Sequence, residues 1–567
     1  MTQADDYDYV IVGAGAAGSV LANRLSEDPA VRVALLEAGP DRNARHLLVR
    51  MPLAMVTFMA PALAWMGGGR FIDWFRSEPE PGLQGRDMAL PRGHGVGGST
   101  NVNGQIFVRG QREDFDQWRD LGNAGWGYDD LLPWFRKLER FELLTNPASG
   151  RHLTVEGVAL GSGIDPALHG TEGPLTIAPP RSVNPVTRVY LAAARAAGFA
   201  LTTDFNGARQ NGVGYYHFTQ SGGERVTAEA AYLNPVRHRA NLTVLAGHKV
   251  LRVVMQGKRA VAVDCGAKGV IAGSEVILSA GTFASPHLLM LSGIGRASDL
   301  ARHGIALVQD LPGVGENLQD HLDITLEYSA KTAVPYGISW RSFPRNVGHV
   351  LDWLIRRRGL FASTTAEAGG FVSTVPGVER PDMQLFFCAG VANTQNASGF
   401  TGHGVLLHVC QLRPGSLGRV ALKSADPAVK PAILYNFFRG DSSIEPLRNG
   451  LRLARRIMAQ AAFAPHIAAE VSPGPDVDSD GAIDGFIRNT VGTLFHPVGT
   501  CAMGVGPDAV VSPATLRVHG VEGLRVIDAS VMPVLVSANT VAATYCLAEK
   551  AADLIKAADL IKAEAAV

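Results

Sequence analysis

The fold is decided by residues 7–37, which read Tyr7-Asp-Tyr-Val-Ile-Val12, then Gly13-Ala-Gly15-Ala-Ala-Gly18, then Ser19-Val-Leu-Ala-Asn-Arg-Leu25 and, after a break, Val31-Arg-Val-Ala-Leu-Leu36 and Glu37. The Tyr, Val and Ile run predicts a buried strand, and the glycines allow a tight turn with close backbone approach. Ser19 to Leu25 then forms a helix whose N-terminus can hold a pyrophosphate. A second strand, Val31 to Leu36, delivers Glu37 nineteen residues after Gly18, where a carboxylate can accept the hydroxyls of an adenosine ribose. A GxGxxG alone is weak in a chain with 64 glycines. Strand before, helix after and acid in place make it a dinucleotide site with Gly13, Gly15, Gly18 and Glu37 as its core.

Composition narrows the rest. The 567 residues are 46% hydrophobic and 18% charged, which describes a globular chain large enough for more than one domain. Lys plus Arg and Asp plus Glu each total 52, so no basic field attracts nucleic acid. The five cysteines are widely spaced without a CxxC, a pattern of reduced thiols, and no metal site is expected. The acidic start Met1-Thr-Gln-Ala-Asp-Asp6 leads straight into the first strand, so the expectation is a cytoplasmic protein without a secretory signal, either free or held on the inner face of the cell membrane.

The membrane alternative comes from two stretches. Residues 51–66 are uncharged and apolar but short for a span and broken by Pro61, so they read as a buried lid over an apolar pocket or as a patch that dips into lipid. Val350-Leu-Asp-Trp-Leu-Ile-Arg-Arg-Arg358 pairs an apolar face with three arginines, which suits an anionic surface, although such clusters are commonly solvated helix ends.

Further glycine blocks follow at Pro91 to Gly104 and Leu311 to His321, neither with an acid-terminated second strand. Val276 to Gly281 reads as a strand, with a helix starting at Ser285 and Pro286 in its first turn. The chain therefore binds one dinucleotide, and a flavin alone is more economical than a flavin with a nicotinamide coenzyme. Near the C-terminus Ala-Ala-Asp-Leu-Ile-Lys occurs at 551–556 and again at 557–562. Six residues rotate a helix by about 600°, so the two Leu-Ile pairs cannot share one buried stripe, and the second copy is expected to be exposed, frayed or in an oligomer contact.

Taken together, Val10 to Gly39, Asp73-Trp-Phe through Gly110, Ala280 to Gly295, Gly313 to His321 and Phe495 onward resemble the glucose-methanol-choline family of FAD oxidoreductases. Asn317 to Thr325 and Ala366 to Phe371 are most similar to its bacterial alcohol and choline dehydrogenase branch. The resemblance implies an α/β fold: a discontinuous Rossmann-like FAD-binding domain (1–160, 222–321 and 486–567) with an inserted α+β substrate domain of sheet plus helices (161–221 and 322–485).

It also implies a catalytic pair, His496 in Phe495-His-Pro-Val-Gly and Asn539 in Ser537-Ala-Asn-Thr-Val541. A histidine can take a hydroxyl proton near neutral pH, and an asparagine amide can donate to the developing alkoxide. Gly97, Gly98, Asn103, Val250, Asp528 and Ala529 join the cofactor residues by resemblance. Asp528 reads equally as a helix N-cap.

The chain departs from the family at Val541 and Ala543, where a polar residue and a proline are usual, and at His94, where Lys or Arg is usual. Val102 stands where some relatives carry a histidine bonded to FAD, so FAD is expected to be non-covalent. Glu367 is a candidate cation site for a choline-like substrate, though a structural role is the stronger reading. The implied reaction is oxidation of a primary alcohol, with electrons leaving to a quinone or another carrier. An oxygen-reducing alcohol oxidase and a choline dehydrogenase are alternatives, with a lyase or photodecarboxylase of the same fold more distant. Oligomeric state is not legible.

Overall fold

The structure, a computed structural model, describes residues 7–54, 68–155, 157–337, 339, 342–391, 402–439 and 443–565. Two seven-stranded sheets organise it. In the first, Tyr7–Val12 runs parallel to Val33–Glu37 on one side and to Val270–Leu278 on the other. Leu242–Ala246 and Leu524–Val526 extend the parallel set, while Arg259–Asp264 and Arg252–Gln256 add antiparallel strands. Val10, Ile11, Val33 to Leu36 and Val276 to Leu278 have no solvent exposure. Such unbroken apolar runs belong to strands covered on both faces. Among the covering elements, Ala16–Leu25 packs on the C-terminal helix Val541–Ala565, and Arg24 grips the buried Glu549 with two bonds of 2.9 Å.

The second sheet is antiparallel, in the order Ile467–Ser472, Leu322–Ala330, Gly404–Gln411, Met383–Cys388, Ala366–Val372 and Gly212–Tyr215, with Gly492–Thr493 paired to Leu322–Ala330. Strand alternation divides its faces. Met383 and Val409 point to the helix Glu445–Met458, where a side chain at Gly450 would strike them. Phe386, Cys388, Leu406 and His408 point the other way, into a cavity between the sheets.

Sequence reading placed the start of the 281–291 helix too late. It spans Gly281–Leu291 with Pro286 inside, and the carbonyl of Thr282 that proline leaves without its N–H partner accepts instead from Thr500 Oγ1 at 2.6 Å. At the C-terminus the second repeat is exposed at Leu560 (62%) and Ile561 (66%), whereas Ile555 of the first is fully buried. All five cysteines are buried and free. Residues 55–66 of the apolar run lie outside the described residues; Pro52–Ala54 forms a short 3-10 turn. No helix among the described residues is long and apolar enough to cross a membrane.

Candidate active site

A cavity of about 540 Å³ runs from the glycine turn to the second sheet. At its first end the turn after Tyr7–Val12 is built by steric necessity. A Cβ on Gly13 would fall 2.5 Å from Ser279 O and one on Gly18 only 1.9 Å from Gly13 O, so these glycines let strand, turn and helix touch. Gly15 is different: it lines the cavity with nothing within 4 Å of its would-be Cβ. Gly98 also lines the wall, and a Cβ there would meet Gly15 Cα at 2.7 Å. Gly18 and Gly97 do not belong to the wall; Gly97, with φ +98°, donates its N–H to Ala14 O at 2.8 Å and fixes the second glycine loop on the first.

Glu37 faces the cavity at the end of Val33–Glu37 and already accepts three backbone N–H groups, from Ala14 (3.0 Å), Gly39 (2.9 Å) and Gly95 (3.2 Å). A carboxylate offers about four lone-pair sites, so acceptor capacity remains for a hydroxyl. Val250, Asn103, Asp528 and Ala529 line the same space. Asp528 caps Ala529–Val531 through Ser530 N–H (2.8 Å) and also receives Gly281 N–H (2.8 Å) and Ser285 Oγ–H (2.6 Å), so the N-cap reading describes it, and the residue still borders the cavity. The Oδ1 of Asn103 is held by Arg225 at 2.7 Å, while the residue stays in the wall. An elongated slot walled by glycine backbone, with the helix Ala16–Leu25 starting at Gly15 on its edge, fits a dinucleotide.

At the other end the structure brings His496 and Asn539 together, although 43 residues separate them. Asn539 Nδ2 donates to His496 Nε2 at 3.1 Å, which leaves the ring proton on Nδ1, where it is donated to His321 Nδ1 at 2.9 Å. The loop bearing His496 is tied on two sides, by the segment leading into Leu322–Ala330 and by the hairpin strand Ala89–Gly93. Its backbone N–H reaches Asp320 Oδ1 (2.9 Å), the oxygen that also takes His321 N–H (2.8 Å), and Arg92 donates to Phe495 O at 2.9 Å. Burial holds His496 well below the ordinary imidazole range, and the neighbouring His321 and Arg92 lower it further. Burial likewise lowers His321 to about 3 and raises Asp320 to about 7. His496 is therefore a neutral base at physiological pH.

Asn539 is oriented from behind. Gln384 Nε2 donates to its Oδ1 at 3.3 Å, which points the amide N–H groups toward His496 and the cavity. The chain before it is held by Asp114, which accepts Ser537 N–H (2.7 Å) and Ser537 Oγ–H (2.8 Å).

Several of these groups escaped sequence reading. Arg92, Asp320 and His321 stand in quoted blocks without a role, and Gln384 and His408 carry no motif. His408 lines the cavity and pairs with the fully buried Asp323 at 2.7 Å, a contact that raises its basicity well above that of a free imidazole despite burial. Glu367, in contrast, is absent from the wall. It is buried beneath it and satisfied by Asn184 N–H, Thr187, Ser363 and Tyr336 at 2.7 to 3.3 Å, and burial raises it to about 7. Val102, Val541 and His94 line the cavity; Ala543 is buried behind it.

A dinucleotide slot that ends on a neutral histidine and an amide is the site of a flavin-dependent oxidoreductase. The chain belongs to the GMC oxidoreductases: their N-terminal family model matches residues 7–323 and their C-terminal model residues 414–548. It is 39% identical over 557 residues to an alcohol dehydrogenase [acceptor] of Pseudomonas putida, covering 97% of this chain and 95% of that one. It is 40% identical over 563 residues to the mitochondrial choline dehydrogenase of Homo sapiens, covering 97% and 90%. A solved formate oxidase of Aspergillus oryzae, studied for the modification of its FAD, superposes with a TM-score of 0.86 at 26% identity over 98% of this chain and 99% of that one. GMC oxidoreductases bind FAD, and the elongated slot walled by glycine backbone and ending at Glu37 fits such a dinucleotide.

Proposed function

We propose that the enzyme oxidises an uncharged primary alcohol to the aldehyde, with electrons passing to a quinone or another carrier. The observation that carries this reading is the convergence of a neutral His496 Nε2 and the Asn539 amide on the cavity wall. In the proposed mechanism His496 Nε2 takes the hydroxyl proton, and the Asn539 N–H stabilises the alkoxide as it forms. His321 and Asp320 keep the ring in place while it gains charge. Bound FAD supplies the acceptor for the hydride that leaves the carbinol carbon. Gly13, Gly15, Glu37, Gly98, Asn103, Val250, Asp528 and Ala529 border the cofactor, and Gly18 and Gly97 support that border. Valine at 102 offers no nucleophile, which supports non-covalent FAD. The FAD-domain segments proposed are 1–160, 222–321 and 486–567.

Choline is the competing substrate, since the human relative is named for it. The second sheet offers it no free anion: that wall presents Phe386, Cys388, Leu406 and His408, whose partner Asp323 is spent on it at 2.7 Å, while the carboxyl behind Ala366 is the engaged Glu367. A quaternary ammonium needs an aromatic cage or an anion. Anaerobic addition of a medium-chain alcohol, and separately of choline, to the purified holoenzyme tests the choice: the alcohol bleaches the flavin and choline does not. Bleaching by choline alone would reverse it.

A further inference from the structure

The helix Phe343–Arg356 is amphipathic the wrong way round for a core element. Its polar side meets the protein: Asn346 Nδ2 donates to Gly337 O at 3.1 Å, Arg345 donates to Ala333 O, and the indole of the buried Trp353 donates to Gly223 O at 3.1 Å. Its other side carries Val347, Val350, Leu351, Leu354 and Ile355, exposed by 43, 37, 53, 46 and 77%. The spacing i, i+3, i+4, i+7, i+8 aligns all five in one stripe, the pattern that elsewhere faces a core. Here it faces outward, and a contiguous aliphatic surface of this kind marks a contact site.

The charges beside it identify the partner. Residues 343–358 hold four arginines, Arg345, Arg356, Arg357 and Arg358, against one acid, Asp352. Arg356 and Arg358 are exposed at the end of the stripe, while Arg357 lies over the Trp353 ring at 4.5 Å and binds Glu224. Arg50 binds the same Glu224 at 2.6 Å and so ties the start of the 51–66 apolar run to the end of this helix. From there the chain passes through Leu360–Ala362, which packs on Pro52–Ala54, to Thr364, Thr365 and Ala366 in the cavity wall.

We propose that this face docks on an anionic lipid bilayer, with Leu351, Leu354 and Ile355 at the acyl boundary and Arg356 and Arg358 against headgroup phosphates. An apolar stripe flanked by arginine is the chemistry that an anionic interface selects. A second copy of the chain fits less well. A two-fold contact sets the helix against itself, so parallel helices bring the arginine clusters together and antiparallel helices set each cluster against the positive N-terminal end of its neighbour. The proposal is independent of the alcohol reaction and places the rim of the cavity beside the membrane.

Flotation of the holoenzyme with vesicles of phosphatidylcholine alone and of phosphatidylcholine mixed with phosphatidylglycerol tests it. The wild type is expected to float with the mixed vesicles. Leu351→Glu with Ile355→Glu should keep the melting temperature and flavin content yet lose flotation, each lost aliphatic weakening partition by about tenfold or more. Arg356→Ala and Arg358→Ala should each weaken binding to the mixed vesicles by about fivefold and leave binding to pure phosphatidylcholine unchanged. A folded wild type that stays unbound, or a double variant that floats as well as wild type, overturns the proposal. So does a wild-type dimer that binds no vesicles and that Ile355→Glu splits into monomers, because the stripe is then a subunit interface.

Discussion

Replacing Gln384 with methionine isolates the hydrogen bond that orients Asn539. Methionine keeps nearly the volume of glutamine and also removes Gln384 Oε1, a buried acceptor without a hydrogen-bond partner. Tyr216, the other acceptor of the Gln384 amide, keeps its own 2.7 Å bond to Leu385 O, so the fold should tolerate the change. What is lost is the 3.3 Å bond to Asn539 Oδ1, after which the amide is free to turn its oxygen toward His496. One neutral hydrogen bond is worth about 0.5–1.5 kcal/mol net, which translates to a roughly two- to tenfold loss of rate. Removal of the amide itself by Asn539→Ala should cost about 100- to 1000-fold, as loss of an oxyanion donor does. The assay is stopped-flow flavin reduction under anaerobic conditions across a range of alcohol concentrations. The limiting rate should fall while the alcohol dissociation constant changes little, and Gln384→Met in an Asn539→Ala background should add less than about twofold, because the two residues act as one unit. Full additivity of the two losses would refute the positioning role.

Other outcomes follow from the same geometry. Because His496 is held well below the ordinary imidazole range, it stays unprotonated as pH falls through that range, so kcat/KM should show no acid limb at the usual histidine value; a limb there that vanishes in His496→Gln would contradict the assigned burial. Two buried carboxyls are raised to about 7, Asp320 and Glu367, and Asp320 alone of the two holds the His496 backbone, so kcat/KM should inflect near pH 7 in a way that Asp320→Asn removes and Glu367→Gln keeps. Gly15→Val should fold with an unchanged melting temperature of the apoprotein yet bind FAD about tenfold or more weakly, since its side chain enters open cavity, whereas Gly18→Val has no room and should fail to fold. Acid precipitation of the holoenzyme should leave all flavin in the supernatant, as Val102 offers no covalent link.

The glycine turn and Glu37 were legible because the chemistry of a strand turning into a helix beside a phosphate permits few sequences. His496 and Asn539 were legible only through the family motif; nothing local to either residue separates His496 from the other fifteen histidines. Gln384 was invisible for a physical reason. It lies in an ordinary alternating strand, and its contact with Asn539 spans 155 residues and depends on the register of the second sheet. His408 and Asp323 meet only because adjacent strands pair out to that point. The helix at 281–291 was misplaced because Pro286 signals a start, and the carbonyl it strands is rescued by Thr500, 218 residues away. The stripe on Phe343–Arg356 had a readable period, but periodicity does not say which side faces the protein.

Whether His496 and Asn539 drive alcohol oxidation at an FAD site is read from the anaerobic flavin spectrum of wild type and His496→Ala, each before and after a medium-chain primary alcohol. Bleaching of the wild-type flavin within seconds, with aldehyde formed in equal amount and the variant bleaching at least about a hundredfold more slowly, is the predicted result. A wild-type flavin that no alcohol bleaches, or a variant that bleaches as fast as wild type, would contradict it.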